Sequence, residues 1–395
     1  MSVKYAIEKE KIKQLEGLLH ERDCDLLVFS REGSDKMLPF LIGEDAVHMA
    51  AAFFTSKKDG HVMLTSKSDE KKYHESGIFN SVETYDKSIA EKLPALLDNL
   101  APRKLALNIS TRDAIADGMT YGLYLTLADI VGKERLDALE ISSEEIIREL
   151  RSVKTMSEIA AIRQSVLITC DIYDEVFTRI RCGMTEKEIA DIFVDCMKKR
   201  GVTNGIGEPF SYPIVCIVRA GLAHRGPGDT KTIPGDILIM DFSVRYSGYV
   251  SDIARTAYFL KPGETKPPHD VRRAFDAAYN AITASIAACV EGARGFEIDA
   301  AGRKVIEDAG YPTVRHSVGH PLGRECHDAG TAISTFKGDE NGPYNRKVKL
   351  NEIYAIEPTV IQDDGLPCML VEENILITPS GPEILSRRQD ALVLL

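Results

Sequence analysis

The chain has 395 residues, 44% of them hydrophobic and 28% charged, with a formal net charge of −11 and an isoelectric point near 5.4. This apolar content supports globular cores, and the length favours two domains over one. The acidic balance argues against a nucleic-acid partner, which requires a clustered basic surface. The longest apolar runs, at 46–55 and 282–290, are too short to span a bilayer, so no membrane partner is expected.

Residues 1–140 combine helical and strand patterns. The charged start, MSVKYAIEKEKIKQLEGLLHERD, has a helical pattern and is not expected to be a signal peptide. It leads to the apolar strand CDLLVFS, the hairpin-like FFTSKKDGHVMLT, and the strand KLALNIS beyond another helix. We therefore predict an α/β domain at 1–140, in which no cluster of reactive side chains stands out.

The charged stretch at 141–160 predicts a helical linker into a second domain at 161–395. In that domain, the spacing of Gly183, Ile189 and Gly201 recurs later in the chain. The second set is Gly292, Ile298 and Gly310. Each set predicts a helix, a glycine-marked break and a second helix, placed before a hairpin that carries acidic residues. An insertion at 328–352, rich in Gly, Asp and Asn, predicts a loop at the mouth of a cleft.

Two predicted hairpins in the second domain carry four carboxylates within apolar sequence. In IMDFSVRYSGYVSDIART, Asp241 and Asp252 lie on either side of a turn at 245–248, which predicts that they face each other. In EIYAIEPTVIQDDGLPCMLVEENILIT, Glu357 and Glu372 are likewise centred on a turn at 363–365. Like charges opposed at about 4.5–5.5 Å destabilise a strand pair, and buried carboxylates are rare unless paired or metal-bound. Divalent ions about 3.5–4 Å apart would supply the compensation.

A nitrogen ligand is available in HSVGHPLGRECHD, which carries His316, His320 and His327, three of the nine histidines. We select His320, because Gly319 and Gly323 flank it and allow the backbone to approach closely. One imidazole with four carboxylates suits manganese, cobalt, iron or zinc by ligand type. Strand alternation turns the remaining acid, which follows Glu372, to the opposite face.

The motifs SDIART, HSVGHPLG, AIEP and VEENILIT resemble, in order, those of the pita-bread metallopeptidases, specifically the aminopeptidase P and prolidase branch, which shares its fold with creatinase. The resemblance implies an α/β (α+β) protein with an N-terminal creatinase-like domain and a C-terminal pita-bread domain of duplicated helix–helix–hairpin units. It also implies a dinuclear centre in which Asp241 binds one ion, Asp252 and Glu372 bridge both, and His320 and Glu357 complete the coordination. Manganese is the expected metal, with cobalt, zinc or iron as alternatives.

The same resemblance implies roles for residues around the metals. Two ions would lower the pKa of a bridging water toward neutrality and polarise the scissile carbonyl. Glu357, the carboxylate that the family uses beside that water, is the expected general base and proton shuttle. His327 is expected to hydrogen-bond the developing oxyanion, and His224 to hold the substrate backbone or assist the leaving nitrogen. His316 is expected to bind substrate in the cleft.

The chain departs from the family at Leu370, where aminopeptidase P and prolidase carry an arginine that helps to fix the substrate or order the site. Two arginines are candidates to replace it: Arg324 in HPLGREC and Arg219 in the loop before His224. Arginine offers a planar fork that suits a carboxylate. We favour Arg324 as the substrate-binding residue, and the alternative is that both arginines are surface side chains.

The resemblance, together with the ligand set, implies a metal-dependent hydrolase of Xaa-Pro bonds in small peptides, either an aminopeptidase P or a Xaa-Pro dipeptidase, that uses a metal-bridged hydroxide. A creatinase-like hydrolase of a small non-peptide C–N bond is the first alternative, although such members lack the metal ligands. A catalytically silent binding protein on the same fold is the second, and the acidic balance and complete ligand set disfavour it.

The eight cysteines show no paired CxxC spacing and no disulfide framework of a secreted protein. They predict reduced thiols in a cytoplasmic protein. Cys326 is not expected to be a nucleophile, because the carboxylate cluster already supplies a hydrolytic mechanism. Because members of the family commonly dimerise, the resemblance implies a homodimer in which residues 1–140 limit substrate size.

Overall fold

The computed structural model describes residues 5–56, 60–113, 116–221, 225–362 and 367–395, and the chain forms two compact units, Met1–Leu150 and Arg151–Leu395. The helices of the described residues are α1 (Ala6–Arg22), α2 (Met37–Ile42), α3 (Glu70–Ser76), α4 (Leu93–Leu100), α5 (Tyr121–Val131), α6 (Lys133–Leu139), α7 (Glu144–Ser152), α8 (Met156–Arg179), α9 (Glu186–Arg200), α10 (His269–Ala288) and α11 (Gly295–Asp308). The strands are β1 (Asp25–Ser30), β2 (Ala50–Phe54), β3 (Val62–Ser66), β4 (Ser81–Tyr85), β5 (Leu105–Leu107), β6 (Glu140–Ser142), β7 (Thr203–Asn204), β8 (Ile214–Ile217), β9 (Ile237–Phe242), β10 (Val244–Tyr246), β11 (Tyr249–Val250), β12 (Ile253–Tyr258), β13 (Gly319–Pro321), β14 (Ile353–Ile356), β15 (Glu373–Thr378), β16 (Gly381–Ile384) and β17 (Val393–Leu394).

The N-terminal unit is built on a six-stranded mixed sheet in the order β4-β3-β2-β1-β5-β6. Strand β1 is apolar from Leu26 to Phe29, and both of its faces are covered: Leu26 and Val28 belong to one buried cluster, and Leu27 and Phe29 to another. The α/β prediction for this region is confirmed. Helix α7, within the stretch predicted as a linker, buries Leu150 in the first of these clusters.

The C-terminal unit repeats one arrangement. Helices α8 and α9 precede strands β8, β9 and β12, and helices α10 and α11 precede β13, β14 and β15. At the start of the second helix of each pair, a glutamate of the first turn accepts from the N-cap backbone N–H: Glu188 from Thr185 and Glu297 from Arg294. One turn later, Ile189 and Ile298 are both buried. The duplicated helix–helix–hairpin unit predicted from the glycine and isoleucine spacing is confirmed.

Two four-stranded sheets bring the acidic hairpins together. Their orders are β17-β12-β9-β8 and β13-β14-β15-β16. The backbone N–H of Glu372 donates to the Ala254 carbonyl over 3.2 Å, which joins the second sheet to β12 of the first. Ile239 and Ile356, one from each sheet, lie in the same buried apolar cluster. The insertion at 328–352 is a loop, as predicted, with a single 3₁₀ turn at Pro343–Asn345.

Among the described residues, no helix combines the length and apolar character needed to cross a membrane.

Tyr173 of α8 fixes the pairing of β9 with β12. Its buried hydroxyl lies 3.0 Å from the Met240 carbonyl oxygen and 2.7 Å from the Ile253 carbonyl oxygen. We expect Tyr173→Phe to lower the free energy of unfolding by about 1–3 kcal/mol, because these buried acceptors lose a donor. Denaturant unfolding measures the change. The matched control is Tyr258→Phe, which removes a hydroxyl that donates to Glu264 and should lower the free energy of unfolding less. Equal unfolding midpoints for wild type and Tyr173→Phe would contradict this role.

Candidate metal centre

Asp241 lies on β9, and Asp252 directly precedes β12. The strands pair Asp241 with Ala254, and the turn falls at 247–248, where both residues have positive φ, as a tight hairpin turn requires. The predicted direct opposition of Asp241 and Asp252 is therefore wrong. Because the register differs by an even number of residues, the two carboxylates still occupy one face of the sheet, as diagonal neighbours.

Glu357 and Glu372 belong to the pairing of β14 with β15. The strands pair Ile356 with Glu373, so the next step of this register places Glu357 opposite Glu372, in agreement with the sequence analysis. The predicted turn at 363–365 lies outside the described residues. Glu373 faces the other side of the strand, where Arg255 Nη2 donates to its carboxylate over 3.2 Å. The alternation that separates the two neighbouring glutamates is thus confirmed.

His320 lies on β13, which pairs it with Ala355 of β14. The glycines on either side permit this close approach. A Cβ on Gly319 would lie 2.4 Å from the Ala355 carbonyl oxygen, and one on Gly323 would lie 2.2 Å from a carboxylate oxygen of Asp328. A larger residue would require the backbone at Ala355 to shift in the first case and the Asp328 side chain to shift in the second.

The hairpins and β13 converge on one point. His320 Nε2 lies 3.4 Å from Asp252 Oδ2, 3.8 Å from Glu357 Oε1 and 3.8 Å from Glu372 Oε1. Asp241 joins the group through a hydrogen bond with Asp252. The structure therefore brings together the five side chains that the sequence analysis assigned to the metals.

Burial and mutual repulsion shift the pKa values of the side chains in this cluster. Burial raises the pKa of Asp241 and that of Glu372 well above their ordinary values, and the charge of Asp252 raises both further. Burial also raises the pKa of Glu357 to about 7, with His320 opposing the rise and Asp252 adding to it. Burial alone would lower the pKa of His320, but its contact with Asp252 raises that pKa to about 9. The carboxylates thus lack enough positive charge from the protein.

Two buried carboxylate oxygens indicate that the cluster binds a cation. Asp252 and Glu372 are 5% and 2% exposed, and Asp252 Oδ1 and Glu372 Oε1 have no hydrogen-bond partner. Native proteins rarely bury a polar oxygen without a partner. A cation satisfies both the orphan lone pairs and the charge imbalance, and carboxylate oxygens with one imidazole form a ligand set for a divalent ion. The residues present therefore fit bound metal ions.

The histidines around the cluster have distinct surroundings. The exposed His327 ring lies 4.3 Å from the His320 ring, centroid to centroid, at an interplanar angle of 48°. The ring nitrogens of His316 lie 2.7 Å from the Ser317 carbonyl oxygen and 2.8 Å from Thr359 Oγ1. The third histidine with a predicted role, His224, lies outside the described residues.

Two residues that were not among the predicted ligands hold Asp252. Cys326 Sγ lies 2.7 Å from Asp252 Oδ2. The side chain of Asn374 accepts a 3.0 Å hydrogen bond from the Asp252 N–H and donates a 2.5 Å bond to its carbonyl oxygen. Both partners are far from Asp252 in the sequence, so no local pattern indicates them. Burial raises the pKa of the Cys326 thiol, so without a bound cation Cys326 is a protonated thiol and not a nucleophile.

The segment that carries Cys326 and His327 is anchored by Asp328. Its carboxylate accepts hydrogen bonds from the backbone N–H of Arg324 over 2.8 Å and from Arg151 Nε over 2.8 Å. Burial alone would raise the pKa of Asp328, but the charges of Arg151 and Lys154 hold it below its ordinary value. This buried ion pair was also missed, because its partners are 177 residues apart.

The two candidate arginines have different surroundings. Arg219 directs its fork at Asp236, with Nε and Nη2 at 2.8 and 3.0 Å from the carboxylate oxygens. Arg324 lies over the Tyr249 ring, 5.2 Å from its centroid, and its Nε donates to the Tyr249 hydroxyl over 3.3 Å. Leu370 is buried in the apolar core. The carboxylate of Asp236 thus already occupies the Arg219 fork.

Comparison with known proteins places this centre in a family. Residues 160–379, over half of the chain, match the profile of metallopeptidase family M24. The chain therefore belongs to metallopeptidase family M24 and is a metal-dependent peptidase.

One related sequence and two solved structures are consistent with membership of this family. An uncharacterized peptidase of Bacillus subtilis is 26% identical over 282 residues, which cover 71% of this chain and 73% of that protein. A Xaa-Pro dipeptidase from Bacillus anthracis has a similar fold, with a TM-score of 0.77 and 22% identity over 98% of this chain and 100% of that one. A Thermotoga maritima X-Pro aminopeptidase gives a TM-score of 0.77 and 22% identity over 97% of this chain and 100% of that one. The predicted pita-bread fold is confirmed.

Proposed function

We propose that the protein hydrolyses Xaa-Pro bonds in short peptides with two divalent metal ions. The observation that carries the proposal is the convergence of His320 with four carboxylates, two of which present buried oxygens without partners. Two relatives of the same fold support the choice of substrate, because they are named as a Xaa-Pro dipeptidase and an X-Pro aminopeptidase.

Each site residue has a proposed role that depends on where it lies relative to the metals. Asp241, Asp252, His320, Glu357 and Glu372 hold the metals, which when bound supply an ionised water near neutral pH and polarise a carbonyl. Glu357 acts as the general base and proton shuttle, since its carboxylate lies in the ligand set, with Oε1 3.8 Å from His320 Nε2, beside the place where the metals would hold that water. His327, exposed beside His320, donates a hydrogen bond to the developing oxyanion. His316 contributes to substrate binding, as does His224.

The experiment that tests this function uses the purified full-length chain, stripped with a chelator and reloaded separately with manganese, cobalt or zinc. We expect cleavage of Xaa-Pro dipeptides or longer Xaa-Pro peptides, no cleavage after chelation, and recovery with at least one metal. The panel includes Xaa-Ala peptides of matched length and creatine.

Each outcome of that panel has a defined meaning. Equal cleavage of Xaa-Ala and Xaa-Pro peptides would refute the proposed specificity, and hydrolysis of creatine alone would indicate the creatinase-like activity. Metal binding without cleavage of any substrate would indicate a silent binding protein. Cleavage of dipeptides only, as opposed to longer peptides as well, separates dipeptidase from aminopeptidase.

We further propose that Arg324 binds the terminal carboxylate of the substrate in place of the arginine that Leu370 replaces. Arg324 is partly exposed, and two residues later Cys326 contacts Asp252. Arg219 is the less suitable candidate because Asp236 occupies its fork. The planar fork of Arg324 matches a carboxylate in two hydrogen bonds.

We expect Arg324→Ala to raise KM about tenfold or more for Xaa-Pro dipeptides with a free carboxylate, and far less for C-terminally amidated ones. The reason is that a charge-assisted hydrogen bond is worth about 1.5–3 kcal/mol, which acts on binding of the carboxylate alone. Steady-state kinetics on both substrate forms measures the difference, with Arg219→Ala as the matched control. An equal rise in KM for both forms would remove Arg324 from this role.

A further inference from the structure

Cys326 faces the metal centre, although it belongs to none of the predicted ligand pairs. Its Sγ lies 2.7 Å from Asp252 Oδ2. A ligand atom from each of Cys326, His320 and His327 lies within 4.8 Å of the others. A sulfur atom, two imidazoles and a carboxylate oxygen therefore share one small volume.

The backbone fixes the thiol in this position. The Gly323 N–H donates to the Glu325 carbonyl over 3.2 Å, and the carboxylate of Asp328 accepts from the Arg324 N–H over 2.8 Å. These bonds close a tight loop on which Cys326 is 6% exposed. The hydrogen bonds of this loop therefore hold the thiol against Asp252.

A second observation at the same place indicates a cation. Asp252 accepts the thiol contact at Oδ2, whereas its other oxygen, Oδ1, is buried without a hydrogen-bond partner, as is Glu372 Oε1. A thiol that only donated to Asp252 would leave both of these oxygens unsatisfied. A cation beside Asp252 would satisfy these oxygens, and Cys326 Sγ lies 2.7 Å from the other oxygen of the same carboxylate.

We propose that Cys326 is a sixth ligand of the metal centre, binding as a thiolate beside Asp252 and His320. On binding, the S–H bond breaks, its proton passes to solvent water, and a metal–sulfur bond replaces the hydrogen bond to Asp252. Thiolate is a soft ligand, whereas carboxylate and water suit manganese. The thiolate therefore shifts the preference of this centre from manganese toward zinc, cobalt or iron.

Cobalt reports on this bond directly, because a thiolate bound to Co²⁺ gives a near-ultraviolet charge-transfer band that oxygen and nitrogen ligands do not give. The metal-stripped full-length chain is titrated with Co²⁺ as wild type, Cys326→Ser and Cys289→Ala. Serine keeps the size and the hydrogen bond to Asp252 but removes the sulfur, and Cys289 is a buried thiol elsewhere in the core. We expect the band in wild type and in Cys289→Ala, and its loss in Cys326→Ser.

Metal competition gives a second readout. Cys326→Ser should weaken zinc binding at least about tenfold, the smallest loss usual even for outer-shell changes, and leave manganese binding within about twofold. Cobalt binding without the band in wild type, or an equal band in Cys326→Ser, would overturn the proposal while leaving the peptidase function standing. Failure of wild type to bind any metal would overturn both. Cys326→Ala replaces the serine variant if circular dichroism shows that Cys326→Ser does not fold.

Discussion

Glu372→Gln should abolish peptide hydrolysis and remove both metal ions. Glu372 is 2% exposed and presents Oε1 without a hydrogen-bond partner, while its oxygen lies 3.8 Å from His320 Nε2. An amide keeps the shape but loses the charge and half of the acceptor capacity with which the carboxylate would hold metal ions. We expect activity to fall more than about a hundredfold, beyond the usual effect of outer-shell changes. Metal content by mass spectrometry and hydrolysis of an Xaa-Pro dipeptide measure the two losses.

The adjacent glutamate provides the control. Glu373→Gln alters a carboxylate of the same length on the opposite face, where it pairs with Arg255. It should cost stability, because the buried Arg255 loses its charged partner, but it should retain the metals. Metal loss in Glu373→Gln, or full metal content in Glu372→Gln, would contradict the assignment of the two faces.

The metal-free protein should also become less stable as the pH rises. The pKa of Glu357 is raised from 4.5 to about 7, so the folded state binds more protons than the unfolded state between these values. Stability therefore falls as the pH rises from about 4.5 to about 7. His320 acts in the same direction, because the stability from its pKa of about 9 is lost as the pH rises above its ordinary 6.5. Thermal unfolding of chelated protein between these limits tests the sign.

The centre is predictable from the sequence where strand alternation decides it. Alternation assigns Glu372 and Glu373 to opposite faces, and the register at Glu357 follows from the symmetry of its hairpin. The Asp241 hairpin shows the limit, because two residues at 247–248 take positive φ and move the turn. Asp252 still lies on the predicted face of the sheet, because an even register shift preserves the alternation of side chains.

The contacts that support the centre cannot be predicted in this way. Cys326 meets Asp252 across 74 residues, and Asn374 meets it across 122. Such pairs depend on how two sheets converge, which no local period encodes. The departure at Leu370 is visible in the sequence, but only the structure shows that Asp236 engages Arg219 and that Arg324 packs against Tyr249.

The largest stability effect should come from the ion pair behind the metal centre. Arg151 and Asp328 are buried, with side chains 6% and 2% exposed, and lie 2.8 Å apart. Asp328→Asn removes the buried negative charge that Arg151 and Lys154 face. Removing one member of such a pair costs about 3–5 kcal/mol, and we expect a loss of that size in the free energy of unfolding.

The surface pair of Arg163 and Glu383, with side chains 38% and 44% exposed, is the matched control. Breaking it with Arg163→Met should cost about 0–1 kcal/mol, because water screens exposed charges. Asp328→Asn should also lower kcat in the metal-loaded enzyme, because the Asp328 carboxylate holds the loop that carries Cys326 and His327. Denaturant unfolding of both variants, followed by kinetics under conditions in which both remain folded, separates these effects. If the two variants lose equal stability, or if Asp328→Asn keeps the wild-type kcat, then Asp328 does not support the loop that carries Cys326 and His327.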